Sequence, residues 1–107
     1  MAFGLTVRFT ARDDAAVRAF DDLTAETLIG IRDLEPGTLV YVSHAVEGNP
    51  LQRIFYELYA DRAAFELHET QPHVRRFLAA REEYIEAVEV DFMETVAGKG
   101  VPGSVAR

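Results

Sequence analysis

Residues 35–60 read EPGTLVYVSHAVEGNPLQRIFYELYA, and this stretch decides the fold. It contains two runs rich in β-branched and aromatic residues, 39–46 and 53–60, with Gly-Asn-Pro at 48–50 between them. Two such runs joined by a short breaker predict an antiparallel hairpin. Residues 35–38, Glu-Pro-Gly-Thr, predict a turn before the hairpin, because proline presets φ at the second position and glycine accepts a positive φ at the third.

The sequence before this stretch predicts a strand followed by a helix. Residues 5–12 alternate between apolar and polar side chains, which is the period of a strand with two different faces. Asp13 or Asp14 can then cap a helix. The inner stripe of that helix has spacings of three and four and consists of Ala16, Val17, Phe20, Leu23 and Thr27. The stripe ends near Gly30, which we expect to terminate the helix.

The sequence after the hairpin predicts two helices and a last strand. Asp61 can cap a short helix that runs through His68, and Pro72 fits the first turn of a second, longer helix. The inner stripe of the longer helix consists of Val74, Phe77, Leu78, Tyr84 and Ile85. Residues 88–96 again alternate between apolar and polar side chains, so we expect them to form the last strand.

This order of elements predicts an α+β, ferredoxin-like fold of the split βαβ kind, with a four-stranded antiparallel sheet and all helices on one face. The third strand is substantially apolar on both faces, with Ile54, Tyr56 and Leu58 on one and Phe55, Glu57 and Tyr59 on the other. Because a monomer rarely exposes such a face, we expect a homodimer. We expect residues 1–97 to form one domain and residues 98–107 a flexible tail.

The composition limits the classes of function. A chain of 107 residues fits one domain with one modest core. The formal net charge of −7 disfavours contact with nucleic acid. No apolar stretch approaches the roughly 20 residues of a membrane helix, and residues 1–10 lack the order of a signal peptide, so we expect a cytoplasmic location with no membrane partner. The absence of cysteine excludes disulfides, thiolate nucleophiles and iron–sulfur clusters.

Three segments together resemble the antibiotic biosynthesis monooxygenase (ABM) family. They are the Glu-Pro-Gly turn at 35–37, the stretch FYELYADRAAF at 55–65 followed by His68, and the pair at 72–73, Pro-His. The resemblance implies a dimeric α+β barrel. Related oxygenases often have tryptophan at the end of the third strand, whereas this chain has Tyr59 and no tryptophan anywhere. The Asn and Trp of the haem-degrading members have no counterparts, so the resemblance to that branch stops at the fold.

His68 and Arg81 are the candidate catalytic residues. His68 follows Ala64 by four positions and Phe65 by three, so its imidazole shares the inner face of the short helix. An imidazole suits a general base that removes a phenolic proton near neutral pH. The alternative is a structural histidine bonded to a neighbouring element. Arg81 falls on the inner stripe of the longer helix, where it either snorkels to solvent or faces an anion such as a deprotonated phenol.

Five further residues are candidates for substrate binding. Phe55, Tyr59 and Phe65 can wall a flat aromatic ligand, although aromatic side chains on such elements also commonly form core. Glu57 shares the face of Phe55 and Tyr59 and, if buried, needs a partner such as a histidine or an arginine. His73 lies in the first helical turn, where the dipole disfavours the imidazolium. A neutral His73 could donate a hydrogen bond there, and the alternative is a surface residue.

The resemblance implies a cofactor-independent monooxygenase that uses O₂ to oxidise a small aromatic phenol, anthrone or quinol to a quinone. We expect no metal, because His68 and His73 stand five positions apart with a proline between them, and no flavin or nucleotide motif is present. The alternative is a non-catalytic dimeric domain of the same fold that binds a small ligand or is purely structural. An open cavity containing His68 and Arg81 would favour the enzyme.

Overall fold

The computed structural model describes residues 1–101. Its elements are β1 (Phe3–Ala11), α1 (Asp14–Leu34), β2 (Thr38–Val46), β3 (Asn49–Tyr59), α2 (Arg62–Thr70), α3 (Pro72–Ala80), a 3-10 turn (Arg81–Glu83) and β4 (Ile85–Glu94). Of the expected tail, residues 98–101 belong to no helix or strand, and residues 102–107 lie outside the described residues.

Within the described residues, four strands form one antiparallel sheet in the order β2-β3-β1-β4. β2 and β3 form the predicted hairpin, and β1 pairs with β3 on one side and β4 on the other. This register places Val7 opposite both Phe55 and Val90. The order of strands and helices confirms the predicted ferredoxin-like α+β fold.

The starts of the helices follow the predicted capping residues. The Asp13 carboxylate accepts the Ala16 N–H at 2.8 Å and so caps α1. Asp61 caps α2 in the same way by accepting the Ala64 N–H at 2.8 Å. Pro72 is the first residue of α3, where its missing N–H leaves no helical hydrogen bond unmade.

The core lies between the helices and one face of the sheet, and aromatic rings form its centre. The Phe9 ring packs against Phe55 with centroids 4.7 Å apart and against Phe20 at 4.9 Å. Phe77 brings α3 into the same cluster. The helices therefore cover the sheet face that carries Phe55, Glu57 and Tyr59, all of which are buried.

Two glycines have roles that differ from the predicted ones. Gly30 does not end α1, which continues to Leu34. A Cβ on Gly30 would lie 2.6 Å from the His73 ring, so this glycine gives His73 room to pack against α1. Gly37 does not adopt a positive φ, whereas Gly48 in the hairpin does. A Cβ on Gly37 would lie 2.7 Å from that of Ala64, so Gly37 lets α2 approach the turn closely.

The apolar face predicted for the helix that begins at Pro72 is wrong beyond Leu78, because the helix is shorter than expected. α3 ends at Ala80, a 3-10 turn follows, and Ile85 is the first residue of β4. The Tyr84 N–H donates to the Arg81 carbonyl at the end of the 3-10 turn. Both Tyr84 and Ile85 pack on the core, so their positions in the sequence fit the spacing of an apolar helix face. Tyr84, however, follows the 3-10 turn, and Ile85 belongs to β4.

The sheet face opposite the helices carries an apolar surface. Its partly or largely exposed apolar members are Val40, Val42, Ile54, Tyr56 and Met93. On the helix side, β4 extends beyond the cover of the helices. Val88, Val90 and Phe92 are therefore 40 to 60% exposed, although they share the face of the core residues of β1.

Candidate active site

A cavity of about 150 Å³ lies between the sheet and the helices α2 and α3. Its floor comes from β1 and β3, its walls from the two helices, and its rim on one side from Val90 and Phe92 of β4. Its polar lining consists of Glu57, His68, Glu69 and Arg81. The cavity thus combines an apolar floor with a few polar groups, as is typical of sites for small molecules.

His68 is held in a fixed orientation at this cavity. It lies on α2 and is 5% exposed. Its Nδ1–H donates to Oε1 of Glu35 at 2.6 Å, because a carboxylate can only accept. Every fully buried side-chain N or O atom of the described residues has a hydrogen-bond partner. Nε2 of His68 has no such partner among these residues, so this nitrogen is not fully buried. This is the tautomer and orientation that a general base requires.

Glu35 is the residue that holds His68, and the sequence indicated it only as part of a turn. It is the C-cap of α1 and is 6% exposed. A carboxylate is disfavoured at a helix C-terminus and in a buried position unless donors surround it. Three donors do so here: His68, His73 through Nε2 at 2.5 Å, and the Thr38 hydroxyl at 2.7 Å.

Glu57 is the second polar group on the cavity with acid–base character. Its Oε1 accepts the Tyr59 hydroxyl at 2.6 Å, so its partner is neither a histidine nor an arginine. Burial is the main cause that raises the pKa of Glu57, from its ordinary 4.5 to about 7. Burial and the nearby Glu57 raise the pKa of Tyr59 far above its usual range, which keeps this hydroxyl protonated as the donor.

Arg81 supplies positive charge at the cavity. It lies at the C-terminal end of α3, and its guanidinium carbon is 5.6 Å from the centroid of the Phe9 ring. Among residues 1–101, no carboxylate forms an ion pair with Arg81. Its charge is therefore available to a bound anion.

The structure divides the predicted site residues into two groups. His68, Arg81, Glu57 and Phe65 line the cavity. The other three, Phe55, Tyr59 and His73, do not line the cavity. Phe55 belongs to the aromatic core, and the Tyr59 ring packs against His68 with centroids 5.2 Å apart. His73 is hydrogen-bonded to Glu35.

Tyr41 is a neighbour of His68 that the sequence did not indicate. Its ring centroid lies 5.6 Å from that of His68. Burial is the main cause that raises the pKa of Tyr41, and the carboxylates of Glu57 and Glu35 add to it. Tyr41 lies opposite Glu57 in the pairing of β2 with β3, and this pairing could have indicated that Tyr41 is near the site. The pairing is known only once the strand register is known.

Residues 1–101 lack two further kinds of feature, a metal site and a membrane-spanning helix. These residues contain no group of three or more His, Asp or Glu side chains with the arrangement of a metal site. None of the helices they form is both long enough and apolar enough to span a membrane.

Comparison with known structures supports the same fold. A candidate antibiotic biosynthesis monooxygenase from Caulobacter crescentus superposes with a TM-score of 0.84 at 20% identity, covering 90% of this chain and 91% of the other. Rv0793 from Mycobacterium tuberculosis superposes with a TM-score of 0.82 at 21% identity, covering 92% of this chain and 98% of the other. A candidate antibiotic biosynthesis monooxygenase from Bacteroides thetaiotaomicron superposes with a TM-score of 0.79 at 23% identity, covering 99% of this chain and 96% of the other.

At the level of sequence, no curated protein matches the chain significantly. Residues 2–80, however, match the family described as antibiotic biosynthesis monooxygenase. This match includes Glu35, Glu57, His68 and His73, and so covers most of the polar groups at the cavity and behind it. The chain belongs to the antibiotic biosynthesis monooxygenase family.

Proposed function

We propose that this protein is a cofactor-independent monooxygenase that uses O₂ to oxidise a small aromatic phenol, anthrone or quinol to a quinone. The observation that carries the proposal is the orientation of His68, which lines the cavity with Nδ1 bound to a buried carboxylate and with Nε2 not fully buried. Family membership supports a monooxygenase of the ABM type in general. The substrate class is what the resemblance to this family implies, and the polar groups of the cavity fit it.

The reaction begins with a proton transfer in the cavity. Nε2 of His68 takes the proton from the substrate hydroxyl or the acidic carbon, and the organic anion that forms is electron-rich enough to reduce O₂. Electron transfer and recombination form a carbon–oxygen bond, which gives a peroxide. The hydrogen on the peroxide-bearing carbon and the distal O–H then leave together as water, which leaves a carbonyl. One oxygen atom of O₂ thus enters the product and the other leaves as water, and a quinol, which already has two oxygens, gives a hydroxyquinone.

The other polar groups at the cavity fit this sequence of steps. Arg81 stabilises the organic anion, since no protein carboxylate among residues 1–101 neutralises its charge. Glu57, with a pKa of about 7, can give a proton to the departing water and take it back at neutral pH. The apolar floor, formed by Leu5, Val7 and Phe9, receives the flat face of the substrate.

The proposal includes a homodimer of the dimeric α+β barrel kind. The sheet face opposite the helices carries partly or largely exposed apolar side chains of the kind that a partner commonly covers: Val40, Val42, Ile54, Tyr56 and Met93. The cavity rim points to the same conclusion, because Val90 is 41% and Phe92 is 60% exposed. A second copy would cover these surfaces and exclude water from the reacting anion.

A second candidate function is a non-catalytic dimeric domain that binds a small ligand or has only a structural role. The size of the cavity favours the structural role, because about 150 Å³ is below the usual range of ligand pockets, roughly 300 to 1,000 Å³. Binding of a phenol without consumption of O₂ would support the ligand-binding form of this alternative.

The test is an O₂-uptake screen against anthrones and hydroquinones, with metal and flavin contents measured on the same protein. We expect one O₂ consumed per product, one ¹⁸O atom from ¹⁸O₂ in the quinone, and turnover without stoichiometric metal or flavin. Turnover that requires bound flavin, haem or iron would contradict the proposal. So would the absence of O₂ uptake with every substrate that binds.

A further inference from the structure

We propose that Glu57 is a specificity-determining residue whose Oε2 accepts a hydrogen bond from a second hydroxyl of the substrate, so that the cavity selects a single aromatic ring with two hydroxyl groups. The inference rests on the proposed function, in which His68 takes the proton of the first hydroxyl. It narrows the substrates from phenols, anthrones and quinols in general to dihydroxybenzenes.

Glu57 has one oxygen that no protein group satisfies. Its Oε1 accepts the Tyr59 hydroxyl at 2.6 Å, whereas Oε2 has no hydrogen-bond partner among residues 1–101. Because every fully buried side-chain N or O atom of these residues has a partner, Oε2 is not fully buried. Glu57 as a whole is only 5% exposed, and it lines the cavity. Oε2 is therefore an unsatisfied acceptor at the cavity, and a donor on a bound ligand would satisfy it.

A hydroxyl group matches Glu57 in both of its protonation states. Burial raises the pKa of Glu57 to about 7, so the carboxylate and the acid both occur near neutral pH. A hydroxyl donates to the carboxylate and accepts from the acid. A carbonyl or ether oxygen can only accept, and an ammonium group can only donate. A hydroxyl is thus the ligand group that Glu57 can bind throughout the neutral range.

The other polar groups of the cavity are less suited to this second hydroxyl. Arg81 only donates hydrogen bonds, so it suits an oxygen that has lost its proton. Glu69 can accept, but it is an exposed residue of α2, where water competes for its carboxylate. A hydrogen bond to Glu57 is stronger than one to Glu69, because burial lowers the polarity of the surroundings. His68 and Arg81 therefore suit the hydroxyl that ionises, and Glu57 suits the one that does not.

The size of the cavity limits the ligand to one ring. Its volume is about 150 Å³, and an apolar cavity of about that volume binds benzene. A single ring can lie on the apolar floor, whereas the further rings of an anthrone would have to extend beyond the rim formed by Val90 and Phe92. A benzene ring with two hydroxyl groups therefore fits both the volume and the polar lining.

The test measures the binding of phenol and of the three dihydroxybenzene isomers without O₂, so that no oxidation is required. Binding is followed by NMR on ¹⁵N-histidine-labelled protein through the side-chain signals of His68, which are identified by their absence in His68→Gln. We expect at least one isomer to bind about tenfold or more tighter than phenol. The same isomer should be preferred to the fluorophenol in which fluorine replaces its second hydroxyl. A tricyclic hydroxyanthrone should bind more weakly at this site than that isomer.

Two variants assign the preference to Glu57. Glu57→Leu combined with Tyr59→Phe removes both partners of the internal hydrogen bond, so no buried polar group is stranded. The preference for the second hydroxyl should disappear in this double variant. The matched control is Tyr59→Phe alone, which keeps the carboxyl group of Glu57 and should keep the preference.

Several results would overturn the proposal. Equal binding of phenol and all three isomers by the wild type would do so, whether or not the variants fold. So would a preference that persists in the double variant, a preference already lost in Tyr59→Phe, or tighter binding of the hydroxyanthrone at this site. A clear preference without O₂ uptake would contradict only the proposed oxidation. Oxidation of anthrones without a preference for the second hydroxyl would contradict only the role of Glu57.

Discussion

Nδ1 of His68 lies 2.6 Å from Oε1 of Glu35, and both side chains are buried. This contact joins α2 to the residue that ends α1, so the geometry of the site depends on how these two helices are held. The carboxylate fixes the tautomer of the imidazole and leaves Nε2 as the acceptor. The chemistry proposed for the cavity follows from this arrangement.

Glu57 is expected to make stability depend on pH. Its pKa is about 7 in the folded protein and 4.5 ordinarily, so between these values the folded state binds more protons than the unfolded state. Stability should therefore fall as pH rises from 4.5 through 7, with a total loss from this residue on the order of 3 kcal/mol.

Glu57→Gln tests this dependence, since the amide cannot ionise and its oxygen can still accept the Tyr59 hydroxyl. Denaturant unfolding from pH 4.5 to 8 should show that the free energy of unfolding of the variant rises relative to that of the wild type as pH increases. The matched control is Glu47→Gln, because Glu47 is an exposed residue of the hairpin turn. A parallel pH dependence in wild type and Glu57→Gln would contradict the assignment.

Gly30→Ala is expected to destabilise the protein although it lies in the helix α1. Alanine at an interior helix position normally gains about 1 kcal/mol over glycine. Here the added Cβ would meet the His73 ring at 2.6 Å, and the crowding should cost about 1 to 3 kcal/mol. Thermal unfolding measures the difference.

The His73→Ala background provides the control for this effect. With the ring removed, Gly30→Ala should become neutral or stabilising by about 0.5 to 1 kcal/mol, so the two substitutions should couple strongly. Equal destabilisation by Gly30→Ala in both backgrounds would show that contact with His73 is not the cause.

A homodimer should be the main species at micromolar concentration. The chain mass is 12.0 kDa, so sedimentation should give 2 × 12.0 = 24.0 kDa. Val42→Asp places a charge on the apolar sheet face and should shift the protein toward the monomer. Ile29→Asp, at an exposed position of α1, should leave the mass unchanged. A wild-type protein that sediments only at 12.0 kDa would refute the dimer.

The sequence predicted the parts of the fold that depend on local signals. Alternation indicated the strands, and Asp13 and Asp61 marked the helix starts because a cap acts over three residues. The helical spacing of His68 placed it on the inner face of α2. The end of α3 was missed because Tyr84 and Ile85 continue the apolar spacing after the helix has stopped.

The polar network behind the cavity could not be predicted in the same way. Glu35 is 33 residues from His68 and 38 from His73, so no local spacing links them. The sequence showed Glu35 only as the start of a turn. Gly30 similarly resembled a helix terminator because its close approach to His73 is a tertiary contact.

The proposed role of His68 can be separated from a structural one by two substitutions. His68→Ala removes the base together with a donor to Glu35, and stranding that carboxylate should cost about 1 to 3 kcal/mol. His68→Gln keeps a donor to Glu35 and should cost less. Both variants lack the base, so both should lower kcat by about 10² or more while the dimer stays intact.

The most direct measurement is kcat for O₂-dependent quinone formation by folded His68→Gln, with the melting temperature taken on the same preparation. If His68 is the base, kcat should fall by about 10² or more while the melting temperature stays near that of the wild type. A folded His68→Gln protein that retains near-normal kcat would contradict the mechanism and remove His68 from it.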